Sequence, residues 1–201
     1  MGHTWLKVFR WKLVTEKPKH DKFVVVAAPH TSGWDLPFML ATSWTMDVPI
    51  SWMGKQELFA PPWGWFMRML GGIPIDRSKH HNTVSWAVEQ IEQTPNLVLS
   101  VPAKGTRARA DYWKSGFYHI AKGANVPVAL AYLDYGKRRC GIGAFVTLTD
   151  DVRADMDCIR AFYADVTAKF PDLEAAPRLR EEDAIPAAPH AVAHAVSGVL
   201  A

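Results

Sequence analysis

The sequence predicts an α/β fold in which a single-layer mixed β-sheet is flanked by helices. Short β-branched runs alternate along the chain with segments of helical periodicity, as in strands joined by helices. Of the 201 residues, 49% are hydrophobic and 21% are charged. This composition excludes disordered and collagen-like classes, and the length suffices for a buried core. We expect one domain over residues 1–182, followed by an Ala- and Pro-rich tail at 183–201.

The individual elements follow from local patterns. Residues 23–28 form a continuous apolar run bounded by Pro29, which is typical of a buried strand. Pro37 is compatible with a helix over 36–46 because it falls in the first turn. Further strands are predicted at 50–53, 71–77, 97–101, 126–133 and 144–148, and further helices at 83–93, 114–123 and 156–170.

Cysteine content and hydropathy exclude several classes of protein. Cys140 and Cys158 are too few for a disulfide scaffold or a four-cysteine zinc site, so we interpret them as structural thiols. Lys7, Arg10 and Lys12 interrupt any early apolar run, which argues against a signal peptide. No uncharged apolar window approaches the length of a transmembrane helix. These patterns predict a protein of the reducing cytosol with no bound metal.

Charge and aromatic residues suggest an anionic partner. The net charge is +3, but basic residues outnumber acidic ones over residues 1–149 and the reverse holds over 150–201. A basic surface suits phosphate groups of a lipid, a cofactor or a nucleic acid, although no nucleic-acid-binding module is present. Tryptophan favours membrane interfaces. The two tryptophan-containing segments, 5–14 and 60–67, are equally compatible with packing on the protein's own core. The candidate membrane-contacting residues are Trp5, Trp11, Trp63, Trp65 and Phe66.

His30 and Asp35 are the first candidate catalytic residues. His30 directly follows the first predicted strand, and Asp35 lies where the next helix begins. A carboxylate that holds one imidazole nitrogen as a donor leaves the other nitrogen free to accept a proton. An isolated pair of this kind is more often structural than catalytic, so its context decides its meaning.

Further motifs supply that context. His30-Thr31-Ser32-Gly33-Trp34-Asp35 is an HxxxxD motif, and it is followed in order by blocks at 55–59, 71–77, 105–107 and 126–128. This ordered set resembles the lysophosphatidic acid (1-acylglycerol-3-phosphate) acyltransferase family of glycerolipid acyltransferases, and is most similar to its short bacterial members. The resemblance spans about residues 23 to 133.

The resemblance implies an acyltransferase fold and an acyl-transfer reaction. His30 would be the general base and Asp35 its partner, and Gly72 and Arg77 would bind the phosphate of the acceptor. The expected substrates are acyl-CoA or acyl carrier protein as donor and a lyso-glycerophospholipid as acceptor, with no further cofactor. The protein would act peripherally on the inner face of the cell membrane.

One block departs from the family pattern. Gly105, Thr106 and Arg107 match a substrate-binding motif, but Lys104 stands where the family has a glutamate. Lys104 could add a cation for phosphate, alter the choice of acceptor or signal lost activity. Two alternatives therefore stay open: a non-catalytic peripheral lipid-binding protein, and an acyltransferase with a non-glycerol acceptor.

Overall fold

The computed structural model describes residues 1–15, 17–75, 80–184 and 197–198. Its central feature is one mixed β-sheet flanked by helices, which confirms the predicted fold class. The strand order is β1-β7-β6-β2-β5-β3-β4, and a two-residue β8 pairs with β7. The strands are β1 (Lys12–Leu13), β2 (Phe23–Ala27), β3 (Ile50–Lys55), β4 (Gly72–Ile75), β5 (Val98–Pro102), β6 (Val128–Asp134), β7 (Arg139–Val146) and β8 (Ser197–Gly198).

The strands from β2 to β6 run parallel, so their C-terminal ends lie at one edge of the sheet. β2 pairs in parallel with both β5 and β6, and β3 pairs in parallel with β5 and β4. β7 is antiparallel to β6 and parallel to the short β1. The loops that follow β2, β5 and β6 therefore meet at the edge where ligands usually bind in α/β sheets.

Helices cover both faces of the sheet because side chains alternate along each strand. Val24 and Val26 of β2 point towards α4, α5 and α6, whereas Phe23 and Val25 belong to a second cluster that includes Met46 of α2. The helices are α1 (Gly2–Val8), α2 (Asp35–Met46), α3 (Gly64–Met69), α4 (His80–Gln93), α5 (Gly116–Gly123) and α6 (Val152–Tyr163), with 3₁₀ turns at Gln56–Phe59, Pro171–Leu173 and Arg180–Ala184.

The C-terminal part of the domain differs from its predicted boundaries. The last helix is Val152–Tyr163 rather than 156–170, because Asp151 caps it by accepting hydrogen bonds from the backbone N–H groups of Arg153 and Ala154. β7 begins at Arg139 rather than at 144, since its first half also pairs with β6. Most of the predicted tail, 185–196 and 199–201, lies outside the described residues.

The cap at Asp151 yields a stability prediction. Asp151→Ala should lower the free energy of unfolding by about 1 kcal/mol, because two N–H groups of the first turn lose their acceptor. Asp151→Asn should retain most of the stability, since asparagine is an equally good cap. Urea unfolding of the three proteins measures the difference, and equal loss in both variants would argue against a capping role.

The N-terminal aromatic segment packs on the protein itself. Trp11 is only 9% exposed, and its ring stacks on Phe38 of α2 with centroids 4.3 Å apart. Trp5 is partly buried and lies edge-on to the same ring at 6.1 Å. The prediction that Trp11 contacts a membrane is therefore corrected, because its apolar surface is already covered by α2.

Candidate active site

His30 and Asp35 are in contact beyond the C-terminal end of β2. The Nδ1 atom of His30 lies 3.1 Å from Oδ2 of Asp35, which is the first residue of α2. With Nδ1–H donating to the carboxylate, the Nε2 atom carries the lone pair that can accept a proton. The imidazole is partly exposed and the carboxylate is buried, so the base can meet a substrate while its partner stays fixed.

Asp35 is held by donors on both of its oxygens. Oδ2 also accepts hydrogen bonds from the backbone N–H groups of Thr31 at 3.0 Å and Ser32 at 2.9 Å. Oδ1 accepts a hydrogen bond from the hydroxyl of Tyr135 at 2.8 Å. These charge-assisted bonds fix the carboxylate and fold the motif loop around it. The five-residue spacing brings the pair together because the loop turns before α2 begins.

Sequence reasoning missed Tyr135. Tyr135 directly follows β6, and β6 lies beside β2 in the sheet. The Tyr135 hydroxyl therefore reaches the loop that carries His30. Burial raises the pKa of the Tyr135 hydroxyl well above its ordinary value, and the Asp35 carboxylate adds to the rise. The hydroxyl therefore stays protonated and remains a donor to Asp35. The position of Tyr135 after a predicted strand is a signal that the sequence contains. Only the strand order shows that this strand lies beside β2.

A large apolar cavity opens beside the pair. It has a volume of about 560 Å³ and lies between α2 and one face of the sheet. Both His30 and Asp35 are in its wall. The remaining wall is mostly apolar, and includes Val25, Ala27, Leu36, Met39, Met46, Ile50, Trp52 and Ile142. Such a cavity suits an apolar ligand whose reacting end lies near His30.

Polar residues line the same cavity at its solvent side. Lys55, Thr106 and Arg107 are exposed and yet belong to its lining, so they mark its opening. Arg107 lies against the motif loop, since a Cβ built on Gly33 would be 2.8 Å from its guanidinium. Gly105 has a φ of +67°, a conformation that favours glycine and turns the loop after β5 towards the cavity. The structure thus brings the predicted block 105–107 to His30.

A protein-family model matches the part of the chain that carries this site. The model described as acyltransferase matches residues 12–131, a range that contains both the HxxxxD loop and the block 105–107. The chain belongs to this acyltransferase family.

Two relatives compared by sequence agree with that assignment. A 1-acyl-sn-glycerol-3-phosphate acyltransferase of Streptococcus pneumoniae is 30% identical over 113 residues, which cover 55% of this chain and 41% of that protein. The protein of the same name from Saccharomyces cerevisiae is 27% identical over 126 residues, covering 58% and 40%. The chain spans less than half the length of these relatives. The crystal structure of the 1-acyl-sn-glycerophosphate acyltransferase PlsC from Thermotoga maritima superposes with a TM-score of 0.46 at 20% identity, covering 70% and 62%.

Lys104 does not line this cavity. Its side chain is almost fully buried, at 2% exposure, and its ammonium group donates to the backbone carbonyl of Leu173. The prediction that Lys104 binds substrate is corrected, because the side chain points into the protein rather than towards the opening. The lysine that stands in place of the family's glutamate is therefore buried inside the domain.

The other predicted phosphate block is seen only in part. Gly72 lies in β4, where an added Cβ would be 2.7 Å from both Trp52 and Phe59 side chains. The structure thus assigns Gly72 to close packing, and Gly72 is not part of the cavity lining. Arg77 lies outside the described residues.

Exposed apolar side chains surround α3. Trp63 and Trp65 are each 68% exposed and Met69 is 65% exposed, whereas Phe66 is partly buried beside Trp65. Leu58, also about half exposed, belongs to the cavity lining and links this surface to the cavity. None of the described helices is both long and apolar enough to cross a bilayer.

The described residues offer no metal centre. Among them, no group of three His, Cys, Asp or Glu side chains could hold a metal ion. Cys140 is buried, and burial raises the pKa of its thiol to about 11. Burial also raises the pKa of the Cys158 thiol. Thiols with raised pKa values are poor nucleophiles at neutral pH, which fits their interpretation as structural residues.

Proposed function

We propose that this chain transfers a fatty acyl group from acyl-CoA or acyl carrier protein to a hydroxyl of a lyso-glycerophospholipid. The observation that carries the proposal is the hydrogen bond between His30 and Asp35 in the wall of a large apolar cavity. A fatty acyl chain prefers such a cavity, and the base then lies next to the reacting end. Membership of the acyltransferase family supports this class of reaction.

The proposed step uses His30 first as a base and then as an acid. Its Nε2 takes the proton of the acceptor hydroxyl while the hydroxyl oxygen attacks the thioester carbonyl carbon. The carbon–sulfur bond breaks as the tetrahedral intermediate collapses, and the leaving thiolate takes the proton from the imidazolium. The products are an ester and a free thiol. Asp35 keeps the imidazole in the required tautomer and stabilises its protonated form.

The opening of the cavity supports a phosphate-bearing acceptor. Arg107 and Lys55 are cations, and Thr106 carries a hydroxyl that can donate to a phosphate oxygen. Two relatives carry the name 1-acyl-sn-glycerol-3-phosphate acyltransferase, which fits the same acceptor class. Arg77 remains a prediction for this role.

Arg107 gives the direct test of acceptor class. Arg107→Ala should raise KM for lysophosphatidic acid by about 10-fold or more with little change in kcat, since a hydrogen bond to a charged group contributes roughly 1.5–3 kcal/mol. Thiol release from palmitoyl-CoA at varied acceptor concentration measures it. Arg109→Ala is the matched control, because Arg109 is exposed in the same loop and is not in the cavity lining.

A phosphate-free acceptor separates the outcomes. With monoacylglycerol, Arg107→Ala and the wild type should have the same KM, because this acceptor has no phosphate for Arg107 to bind. Equal KM values for lysophosphatidic acid in the two proteins would contradict the proposed phosphate contact and favour a non-glycerol or uncharged acceptor.

We also propose that the surface around α3 docks on the cytoplasmic face of the cell membrane. Its exposed tryptophans suit the interface between lipid headgroups and acyl chains, and Leu58 connects it to the cavity. A membrane-borne acceptor could then enter the cavity without crossing water.

The double variant Trp63→Ala/Trp65→Ala tests this surface. It should lose at least about 10-fold in binding to anionic phospholipid vesicles, because two large aromatic side chains of some 150–250 Å² each no longer enter the interface. Vesicle co-sedimentation measures the loss, and Trp63→Phe/Trp65→Phe, which keeps the aromatic rings, should retain most of the binding. Unchanged sedimentation of the alanine variant would place the docking surface elsewhere.

The lipid-binding alternative uses the same cavity without catalysis. It is motivated by the charge reversal at Lys104, whose side chain is buried and is not part of the cavity lining. It predicts lipid binding without consumption of the acyl donor, so the thiol-release assay distinguishes it from the proposed reaction.

A further inference from the structure

Lys169, which follows α6, contacts two aromatic residues that flank Asp35. Its ammonium group lies 5.1 Å from the ring centre of Trp34 and 5.7 Å from that of Tyr135. Trp34 directly precedes Asp35 in the HxxxxD motif, and the Tyr135 hydroxyl donates to the Asp35 carboxylate. Because a cation is attracted to the faces of aromatic rings, Lys169 joins the motif loop to the tyrosine that holds its carboxylate.

Two hydrogen bonds fix the segment that carries Lys169, residues 167–170. The backbone N–H of Tyr135 donates to the carbonyl of Thr167 at 2.9 Å. The backbone N–H of Phe170 donates to the hydroxyl oxygen of Thr31, a buried residue of the motif loop, at 3.2 Å. The segment is therefore bound to the end of β6 on one side of Lys169 and to the catalytic loop on the other.

The ring of Tyr135 also has aromatic neighbours. The ring of Trp11 lies edge-on to it with centroids 4.9 Å apart, and the ring of Phe38 lies edge-on at 6.1 Å. These contacts hold the ring while its hydroxyl donates to Oδ1 of Asp35 at 2.8 Å. A side chain whose rotamer is fixed by packing can hold a catalytic group in a precise geometry.

We propose that Tyr135 and Lys169 are positioning residues of the acyl-transfer reaction, Tyr135 by holding the Asp35 carboxylate and Lys169 by holding Tyr135 against the motif loop. This proposal deepens the proposed function, since it rests on Asp35 orienting His30 as the base. Neither Tyr135 nor Lys169 is among the described residues that line the cavity, so we expect neither to bind substrate. Their loss should therefore lower kcat and leave KM unchanged, because small displacements of a catalytic group slow the chemical step.

Tyr135→Phe tests the hydroxyl. It should lower kcat by about 5-fold or more, with unchanged KM for both substrates, because Asp35 loses the donor to one of its oxygens. Thiol release from palmitoyl-CoA with lysophosphatidic acid measures both constants. Tyr112→Phe is the matched control, since the Tyr112 hydroxyl also donates to an aspartate, Asp183, at 2.7 Å, and Tyr112 is not in the cavity lining. It should leave kcat unchanged.

A double variant shows whether Tyr135 acts through Asp35. Residues that act as one unit have non-additive effects. In Asp35→Asn the carboxylate is already lost, so adding Tyr135→Phe should lower kcat no further. A full additional loss in the double variant would overturn the proposal, because Tyr135 would then act independently of Asp35.

Lys169→Met and Lys169→Arg test the cation. Methionine keeps a similar length without the charge, and should lower kcat by about 2-fold or more with unchanged KM. Arginine should keep the wild-type kcat, because its guanidinium group also packs on aromatic faces. Wild-type kcat in Lys169→Met, or equal loss in both variants, would overturn the role of the Lys169 charge.

Amide hydrogen exchange tests positioning without substrate. The backbone N–H groups of Thr31 and Ser32 donate to Oδ2 of Asp35, so a less firmly held carboxylate should expose them more often. In Tyr135→Phe their exchange, followed by NMR, should be about 3-fold faster or more, while the amides of β2 keep their wild-type rates. Unchanged exchange at Thr31 and Ser32 would overturn the positioning role. Faster local exchange in a protein whose wild type transfers no acyl group would support that role and contradict the proposed function.

Discussion

His30→Gln is expected to lose about 10²–10⁴-fold in kcat for acyl transfer, the usual contribution of a general base. Glutamine is polar and of similar reach, but it cannot take the proton of the acceptor hydroxyl. The imidazole is partly exposed and its hydrogen bond joins it to Asp35, so the fold does not depend on it. The melting temperature should therefore stay close to that of the wild type, as followed by circular dichroism.

His119→Gln is the matched control for this variant. His119 is exposed and lies 3.8 Å from Glu181, on α5 and outside the cavity lining. Its replacement should leave kcat unchanged. Wild-type turnover in His30→Gln would show that another group, or none, acts as the base.

Asp35→Asn is expected to lower kcat by roughly 10²-fold or more, within the range of a general acid–base contribution. The amide oxygen can still accept the backbone N–H groups of Thr31 and Ser32, so the loop should keep its shape. A neutral amide cannot stabilise the imidazolium that forms when His30 takes a proton.

The control for Asp35→Asn lies at the other end of the same helix. Asp47 follows α2, is 91% exposed and forms an ion pair with Lys17. Its φ of +55° is one that asparagine tolerates, so Asp47→Asn should leave kcat unchanged. If Asp35→Asn retained the wild-type kcat, the electrostatic role of Asp35 would be refuted.

Much of the site could be predicted from the sequence because it depends on local order along the chain. His30 follows a short β-branched apolar run that is typical of a buried strand, and Asp35 starts the next helix. The block 105–107 also follows a strand, and the C-terminal ends of parallel strands meet at one edge of the sheet. Recognising the two strands is therefore enough to predict that the residues following them lie close together.

The remaining residues depend on which elements are neighbours, which local patterns do not encode. Lys104 has a side chain typical of a surface and Trp11 stands between two cationic residues in the sequence, yet tertiary packing buries both. Tyr135 reaches Asp35, 100 residues away in the chain, only because β6 lies beside β2. No sequence spacing predicts contacts over that distance.

The central claim is that His30 promotes direct transfer to an acceptor hydroxyl. The most direct measurement is thiol release from palmitoyl-CoA together with ester formation on lysophosphatidic acid, in wild type and His30→Gln side by side. We expect one ester for each thiol released, no release without the acceptor, and loss of both products in His30→Gln. Release that needs neither acceptor nor His30 would contradict this claim.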